Sequence, residues 1–221
     1  MKIIKDNLKK LRLRINKIGS KNRYRKLNIK NPTIISNNCW GGIICQYLGI
    51  PYYTPTVGLY FFSDEYIKFL KKFKYYINQK LEIIDAKQSK YYNELIVKGH
   101  DKSFIGKLDD VEIVFLHYNS RKEIIEKWNK RVKRINWDYI IFKFCNQNLC
   151  SDDNIYEFEQ LKFKNKICFS TKNYPNCKSV ITFDNQKNKN EVEKDYYVSH
   201  KYFNVIKYIN NLEIESWCNN D

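Results

Sequence analysis

The alternation of apolar strands with amphipathic helices in the second half of the chain is the feature that most limits its fold. Residues 111–118, VEIVFLHY, form a run of strong β-formers, and residues 120–135 then repeat apolar side chains at the spacing of a helix. A strand at 138–144, a helix that begins near Ser151 and a strand at 166–170 follow. Two successive strand–helix–strand crossovers predict a parallel sheet flanked by helices.

The first half of the chain predicts a second α/β region. A short β-run at 33–36 leads through a polar loop into a short helix at 39–47, and a strand at 57–62 precedes a helix at 63–77. The segment 80–106 has connections rich in Lys, Gln, Asn and Gly, which favour an antiparallel and partly exposed meander. Its three expected strands lie at 81–84, 94–98 and 103–105.

These elements predict an α/β protein with a mainly parallel sheet flanked by helices, an N-terminal α/β part and a small antiparallel meander. We divide the chain into a basic amphipathic helix and linker over 1–30, an N-terminal α/β part over 31–106 and a C-terminal α/β part over 107–221. The last part is expected to carry a long helix at 193–210. At 221 residues the chain can bury a sizeable core without covalent cross-links.

Positive charge is concentrated at the start of the chain. Residues 1–30 hold twelve Lys and Arg residues against the single acid Asp6, so most of the formal charge of +16 belongs to this segment. Its isoleucines and leucines recur every three or four residues, which predicts an amphipathic helix that ends near Gly19. Such a helix can cover the main domain, lie on an anionic membrane or touch nucleic acid. No recognised nucleic-acid module accompanies the charge, so no specific nucleic-acid partner is expected, whereas peripheral membrane contact stays open.

Cysteine usage and hydropathy indicate where the protein works. The seven cysteines are an odd number, only Cys145 and Cys150 are close in sequence, and the three histidines are isolated. No tetrahedral metal site is therefore predicted. Free thiols in this number favour a reducing cytosol. The sequence has no apolar run of the length that a membrane span needs and no signal-peptide pattern, so a cytoplasmic location is expected.

The loop within residues 34–49, IISNNCWGGIICQYLG, carries the first candidate for chemistry. An apolar strand runs into two asparagines, Cys39, Trp40 and two glycines, and then into an apolar helix. A cysteine at a helix N-terminus lies beside unpaired N–H groups that favour its thiolate. The Cys-Trp pair also looks like the start of the central helix in papain-like enzymes, although that family's neighbouring glutamine and second cysteine are absent here.

His117 is the expected partner of Cys39 in a catalytic pair, because it ends a predicted buried strand at the carboxyl edge of the sheet. The thiolate would attack an acyl carbonyl, with backbone N–H groups near Trp40 and Gly41 as oxyanion donors. Three side chains are candidates for orienting the imidazole: Asn37, Asn38 and Asp138. Without catalysis, Cys39 would fill the strand-to-helix corner as a small apolar residue, and His117 would be a hydrogen-bonded strand end.

The same loop also suits non-covalent binding. Its asparagines and glycines at a helix N-terminus can offer backbone donors and close approach to the phosphate of a nucleotide-sugar, a phosphosugar or coenzyme A. The predicted substrate-binding residues are Asn37, Asn38, Trp40, Gly41 and Gly42. The loop lacks the Walker and dinucleotide fingerprints, so the cofactor stays unknown, and the glycines would equally allow tight helix-to-sheet packing. The tyrosines and phenylalanines at 52–62 suit either a core or a sugar-stacking surface.

Several segments together resemble a known family. NPTIISNNCWGGIICQYLGIPYYTPTVGLYF, GKLDDVEIVFLHY, KWNKRVKRINWDYI and the strand with KFCNQNLC occur in the order found in an uncharacterised bacterial domain-of-unknown-function family, over about residues 31–210. Members of this family are often labelled exopolysaccharide biosynthesis proteins. The label assigns no reaction and no catalytic residue that can be carried over.

The resemblance implies a role in surface or exopolysaccharide biosynthesis. It favours a transferase whose ligand is a sugar or an activated sugar. Two alternatives stay open: a Cys-His acyl transferase or hydrolase, and a non-enzymatic carbohydrate-binding or assembly protein. The oligomeric state cannot be inferred from the sequence.

Overall fold

Two four-stranded β-sheets organise residues 18–217, the part of the chain that the computed structural model describes. In chain order the strands are β1 (Thr33–Ser36), β2 (Leu59–Tyr60), β3 (Glu82–Asp85), β4 (Phe104–Leu108), β5 (Val111–Phe115), β6 (Ile140–Cys145), β7 (Lys166–Ser170) and β8 (Val180–Thr182). The α-helices are α1 (Ser20–Arg25), α2 (Trp40–Leu48), α3 (Ser63–Lys71), α4 (Phe73–Ile77), α5 (Tyr92–Val97), α6 (Arg121–Val132), α7 (Asp152–Gln160), α8 (Asp195–Val198) and α9 (Val205–Asn210). Short 3-10 turns lie at Ala86–Gln88, Asp184–Gln186 and Ser199–Lys201.

The first sheet is parallel and has the strand order β1-β6-β7-β8. Helix α7 provides the crossover between β6 and β7, and Ser151 caps its first turn by accepting a hydrogen bond from the Asn154 amide. The prediction of a parallel sheet flanked by helices is therefore confirmed. Strand β1 pairs with β6 from Thr33↔Ile140 to Ser36↔Lys143, so this sheet takes strands from both halves of the chain.

The second sheet is antiparallel, with the order β2-β5-β4-β3, and it confirms the predicted small antiparallel region. Strand β5 lies in this sheet, so the expectation that it belongs to the parallel sheet was wrong. The reason is local, because β4 and β5 form a hairpin in which Leu108 pairs with Val111 across Asp109 and Asp110. Asp109 adopts a left-handed conformation with φ 55°, which tight hairpin turns require.

Three local assignments also differ from the sequence-based ones. The strand expected at 94–98 is helix α5, in which Leu95 alone is buried while the rest of the apolar run stays at the surface. The long helix expected at 193–210 is split into α8, a 3-10 turn and α9, which Asn204 caps by accepting a hydrogen bond from the Lys207 amide. Helices α3 and α4 replace a single helix and meet at Lys72. The helix predicted in residues 1–30 lies mostly outside the described residues.

The parallel sheet is buried on both faces. Along β6, Ile140, Phe142 and Phe144 join the core cluster that also holds residues of α3, α4 and the antiparallel sheet. The alternate residues Ile141 and Cys145 face α2 and α9 in a second cluster. This alternation is the two-residue period of a strand, and it covers both faces as parallel sheets require. The position between Ile141 and Cys145 on the second face is occupied by Lys143.

A glycine inside β4 is needed for the contact between two core side chains. A Cβ placed on Gly106 would lie 2.5 Å from Cε2 of Phe115 and 2.8 Å from Cδ1 of Leu81. We expect Gly106→Ala to lower the free energy of unfolding by about 1–3 kcal/mol, because the methyl group overpacks this face. Urea denaturation measures the change.

A matched background tests the cause of that loss. In a Phe115→Leu background, the ring atom that the new methyl group would meet is absent. Gly106→Ala should therefore lower the free energy of unfolding by less in that background than in the wild-type chain. Equal losses in the two backgrounds would contradict the steric explanation.

Candidate functional site

Cys39 lies at the corner between β1 and α2, at the residue that precedes the first turn of the helix. Its backbone is right-handed with φ −67°, and its side chain is half-buried. The Sγ atom lies 3.7 Å from the backbone oxygen of Leu59, in the neighbouring strand β2. The thiol therefore sits between the parallel sheet and the antiparallel sheet.

A cleft of about 310 Å³ opens beside this thiol, and we call it the Cys39 cleft. It lies beyond the carboxyl ends of β1 and β6, the position where open parallel sheets bind ligands. Its other walls come from β2, the segment after α5, the end of β5 and helix α8. The lining residues are Asn38, Cys39, Tyr60, Lys98, His100, Leu116, Gln147, Asn148, Asp195 and Tyr196.

A buried ion pair lies at the base of the cleft. Lys143, in the middle of β6, is fully buried, and its Nζ donates a short hydrogen bond to Oδ2 of Asp195, whose side chain is 2% exposed. Nζ also donates to Oδ1 of Asn38 at 3.0 Å. The ammonium group lies 5.7 Å from the ring centre of Trp40 and 5.2 Å from that of Phe169. Burying two charges is expensive unless they are paired and hydrogen-bonded, and here the ammonium group has two oxygen acceptors and two aromatic rings around it.

Asn38 and Asp195 complete each other's hydrogen bonds. Nδ2 of Asn38 donates to Oδ2 of Asp195 at 2.9 Å and to Oε1 of Gln147 at 2.8 Å. Oδ1 of Asp195 accepts from the Tyr196 amide at 2.8 Å. Oδ1 of Asn38 also accepts from the Trp40 amide at 3.1 Å. The first turn of α2, the end of β6 and the start of α8 are thus connected through these side chains.

The segment 190–199 lies over the carboxyl edge of the sheet through further polar contacts. Trp40 Nε1 donates to Oγ of Ser199 at 3.0 Å, and the Asn148 amide donates to Oε1 of Glu191 at 3.0 Å. Gln147 donates a short hydrogen bond to the backbone oxygen of Val192. Position and shape of the cleft therefore depend on residues that are far apart in the sequence.

Backbone strain is concentrated at the cleft. Between residues 18 and 217, four residues other than glycine have positive φ, and one of them is the hairpin residue Asp109. The other three are Asn148 (φ 59°), Leu149 (φ 64°) and Lys194 (φ 50°), which line the cleft or adjoin residues that line it. Left-handed backbone costs free energy, most clearly for a residue such as leucine, and it persists at functional sites where the surroundings impose it. The strain marks this edge of the sheet as the candidate site.

His100 is the histidine that lines the Cys39 cleft. Its Nδ1 lies 3.1 Å from the hydroxyl oxygen of Tyr60. Burial, with a smaller contribution from the nearby Lys98 cation, lowers the pKa of His100 below its usual value of 6.5. The imidazole is therefore neutral at pH 7 and able to accept a proton. Burial also raises the pKa of Tyr60, so its phenol keeps its proton at any working pH.

One member of the predicted catalytic pair lines the cleft, and the other directly follows the lining residue Leu116. Cys39 lines the cleft, as does Asn38. His117 is exposed, and a Cβ built on Gly58 would lie 3.4 Å from its Cβ. His117 thus adjoins the loop before β2, whereas His100 is the imidazole that shares the cleft with Cys39. A catalytic role for Cys39 and His117 stays a prediction.

The other predicted binding residues lie behind the cleft wall. Asn37 and Trp40 are fully buried, and Asn37 donates to the Cys145 backbone oxygen at 2.9 Å. Oδ1 of Asn37 has no hydrogen-bond donor among the described residues. A Cβ on Gly41 would lie 3.2 Å from Ile34, and one on Gly42 would lie 3.1 Å from Val57. The two glycines thus allow α2 to approach β1 and the loop before β2, and their role in ligand binding stays a prediction.

Three residues of the site were missed at the level of sequence. Lys143 was the detectable one, because it is a lone charge inside the apolar run IIFKFC, and such a charge must be paired. Asp195 and His100 carry no local signal, since each reaches the cleft through tertiary packing. Within residues 18–217 no cluster of His, Cys, Asp and Glu could hold a metal ion. In the same range no helix has both the length and the apolar composition for crossing a membrane.

Comparison with known proteins defines the family. The family model described as Domain of unknown function (DUF1919) matches residues 10–219, and the chain belongs to this family. A relative named "Uncharacterized protein" from Haemophilus influenzae is 31% identical over 196 residues, which covers 88% of this chain and 87% of the relative. The match to the family model spans the residues of both sheets and of the cleft.

The buried ion pair generates a stability prediction. Lys143→Met and Asp195→Asn should each lower the free energy of unfolding by about 3–5 kcal/mol, because each leaves a buried charge without its partner. The double variant removes both charges, and the side-chain amide that replaces the Asp195 carboxylate can still accept the hydrogen bond from Asn38. The double variant should therefore be more stable than either single variant. Urea denaturation of all four proteins measures the coupling. Additive losses would contradict a compensated buried pair.

Proposed function

We propose that this protein is a cytoplasmic transferase of surface or exopolysaccharide biosynthesis that binds a sugar or activated sugar in the Cys39 cleft. The observation that carries the proposal is the composition of the cleft: an exposed tyrosine ring, side-chain amides, an imidazole and a lysine cation converge at the strained carboxyl edge of a parallel sheet. Six cysteines among the described residues are free thiols, which suits a reducing compartment.

The cleft walls supply complementary chemistry for a sugar. The ring of Tyr196, which is 37% exposed, offers an apolar face for the C–H side of a pyranose. The amides of Gln147 and Asn148 offer donors and acceptors for hydroxyl groups. The cation of Lys98 suits the phosphate of an activated sugar. The combination favours a ligand that is polar, hydroxylated and negatively charged.

His100 is the group we propose as general base. It is neutral at pH 7, it lies at the hydroxyl of Tyr60, and it lines the same cleft as the binding groups. In a sugar transfer it would accept the proton of the attacking hydroxyl while the activated sugar loses its phosphate-containing leaving group. Asn38 and Asp195, held by Lys143, would keep the base of the cleft rigid.

Turnover of nucleoside-diphosphate sugars tests the proposal. A panel of such donors is incubated with the full chain and oligosaccharide acceptors, and release of the nucleoside diphosphate is measured. His100→Gln should lower kcat by about 10²–10⁴-fold, the usual contribution of a general base. His200→Gln is the matched control, and it should retain wild-type turnover because His200 is exposed and is not among the residues that line the cleft. Equal losses in the two variants would contradict the role of His100.

The pH profile gives an independent check. Burial holds the pKa of His100 below its usual 6.5, so the midpoint at which this base gains a proton lies at a lower pH than that of an exposed histidine. Turnover should therefore fall as the pH is lowered, with a midpoint below pH 6.5. A midpoint above pH 6.5 would argue against this histidine.

A second candidate function is acyl transfer through Cys39. The observation that favours this function is that Cys39 lines the same cleft as the neutral imidazole of His100. Cys150 is the matched control, because it is also half-buried while burial raises the pKa of its thiol to about 12. If Cys39 is a nucleophile, iodoacetamide should modify it at pH 7 much faster than it modifies Cys150, and His100→Gln should slow that reaction. Equally slow modification of both thiols would rule out this function.

Binding without catalysis is the third alternative. Saturable binding of a nucleoside-diphosphate sugar, lost in Tyr196→Ala and accompanied by no product with any acceptor tested, would identify a binding or assembly protein. Loss of turnover with binding retained in His100→Gln would instead support the transferase.

A further inference from the structure

Positive charge is concentrated in two segments of the described chain, 18–57 and 127–137. Each segment holds five Lys and Arg residues and no Asp or Glu. In the rest of 18–217, Lys and Arg outnumber Asp and Glu by one, so the two segments account for nearly all of the net charge. Seven of their ten cationic residues are exposed: Lys21, Arg25, Lys26, Lys127, Lys130, Lys133 and Arg134.

Tertiary contacts bring the two segments onto one surface. The guanidinium carbon of Arg23 lies 3.9 Å from the centre of the Tyr47 ring, and Gln46 donates to the Tyr52 hydroxyl at 2.6 Å. On the other side of that tyrosine, the guanidinium carbon of Arg131 lies 5.1 Å from the ring centre. Helix α1, the end of α2, the loop that follows it and the end of α6 are therefore neighbours. We call this surface, formed by residues 18–30, 46–53 and 127–134, the basic face.

Three acids border the basic face. Glu123 pairs with Lys127, Glu126 lies 3.9 Å from Lys122, and the exposed Asp138 directly follows the second segment. Ten cationic residues thus stand beside three acids, and the surface keeps a positive potential. Six exposed cations of the basic face form no ion pair with another residue in 18–217: Lys21, Arg25, Lys26, Lys130, Lys133 and Arg134.

The basic face adjoins the Cys39 cleft. Arg131 donates to the Tyr118 hydroxyl at 2.7 Å, and Nζ of Lys127 lies 5.5 Å from the centre of the same ring. Tyr118 is two residues from Leu116, which lines the cleft, and the exposed His117 lies between them. A linear polyanion held on the basic face would therefore have one end beside the cleft.

The side chains of the basic face distinguish among polyanions. A bilayer contact is strengthened by exposed apolar side chains, and within 18–217 the large ones on this face are Ile18 and Tyr24 alone. Bases of single-stranded nucleic acid stack on open aromatic rings. Three rings of this face instead carry a cation of the chain itself: Tyr24 with Lys30, Tyr47 with Arg23, and Tyr52 with Arg131. The face is therefore suited to a hydrated chain of anionic groups.

We propose that the basic face holds an anionic oligosaccharide whose end reaches the Cys39 cleft as the acceptor of the transferred sugar. Lysine and arginine side chains pair with the anionic groups along the glycan, and arginine can hold such a group through two parallel hydrogen bonds. The role as acceptor rests on the proposed transferase. Binding of the glycan to the face requires no donor and no turnover, so it is measured separately.

Binding of fluorescently labelled oligogalacturonate to the full chain tests the proposal. A neutral maltooligosaccharide of equal length is the uncharged comparison. The variant Lys26→Gln/Lys130→Gln/Lys133→Gln removes three exposed cations of the basic face, and glutamine keeps a helix propensity close to that of lysine. We expect the wild type to bind the anionic glycan only, and the face variant to bind it about tenfold more weakly. Added salt should weaken the wild-type binding, because it screens exposed charges.

A matched variant removes the same charge from elsewhere. Lys87, Lys162 and Lys178 are exposed, lie outside the basic face and form no ion pair within 18–217. Lys87→Gln/Lys162→Gln/Lys178→Gln should bind oligogalacturonate as tightly as the wild type. Circular dichroism and the thermal midpoint confirm that both triple variants fold. Equal losses in the two would show a response to net charge, and this would contradict a localised site.

Other outcomes would also overturn the proposal. One is equal binding of the charged and the neutral glycan, or equal binding by the face variant and the wild type. Another is displacement of the glycan by single-stranded DNA of equal charge at a lower concentration than unlabelled glycan requires, which would assign the face to nucleic acid. The third is flotation with anionic vesicles that the face variant loses while the wild type fails to bind glycan, which would assign the face to a bilayer.

Turnover separates this proposal from that of the transferase. With oligogalacturonate as acceptor, the face variant should raise the KM for the acceptor and leave kcat unchanged, because the basic face lies outside the cleft lining. An unchanged KM would overturn the role of the face and leave the transferase standing. Glycan binding that the face variant weakens, without turnover of any donor, would instead remove the transferase and the acceptor role and leave the binding surface.

Discussion

The ion pair between Lys143 and Asp195, shared with Asn38, is the interaction on which the candidate site depends. A lysine in the centre of a parallel sheet has no water to solvate it, so the chain must bring a carboxylate and an amide to it. The carboxylate comes from a segment that begins after β8, and the amide comes from the loop after β1. Satisfying one buried charge therefore joins the N-terminal loop, the central strand and the segment 190–199. The base of the cleft is a consequence of that requirement.

The two sheets have separate tasks around this centre. The parallel sheet supplies the edge at which β1 and β6 end together, and both of its faces are covered by apolar clusters that keep this edge rigid. The antiparallel sheet and α5 supply the opposite wall, with Tyr60 and His100. Rigid scaffolds with strained loops at one edge are the usual arrangement for binding and catalysis. Here the strained residue Asn148 is held by polar contacts, since its amide donates to Glu191 and its backbone oxygen accepts from the Ser63 amide.

Much of the fold could be predicted from local pattern, and most of the site could not. The strand at 166–170 and the helix after Ser151 were predicted from apolar periodicity and a cap, because both signals lie within a few residues. The strand at 111–115 was predicted, but its sheet was not, since pairing depends on the hairpin with β4. The run ELIVK at 94–98 favoured a strand, but most of it forms helix α5. Leu95 is the buried residue of that helix, so the apolar run did not indicate a buried strand.

By itself, the sequence determined the class of fold, the corner that carries Cys39 and the presence of one lysine inside an apolar strand. These follow from side-chain spacing, glycine and proline positions and helix caps, which act over short stretches of chain. Tertiary structure alone decided that His100 shares the cleft with Cys39, and that Asp195 compensates Lys143 across 52 residues of chain. The physical reason is that burial and charge compensation are properties of the packed molecule, and no local pattern records which distant partner will satisfy them.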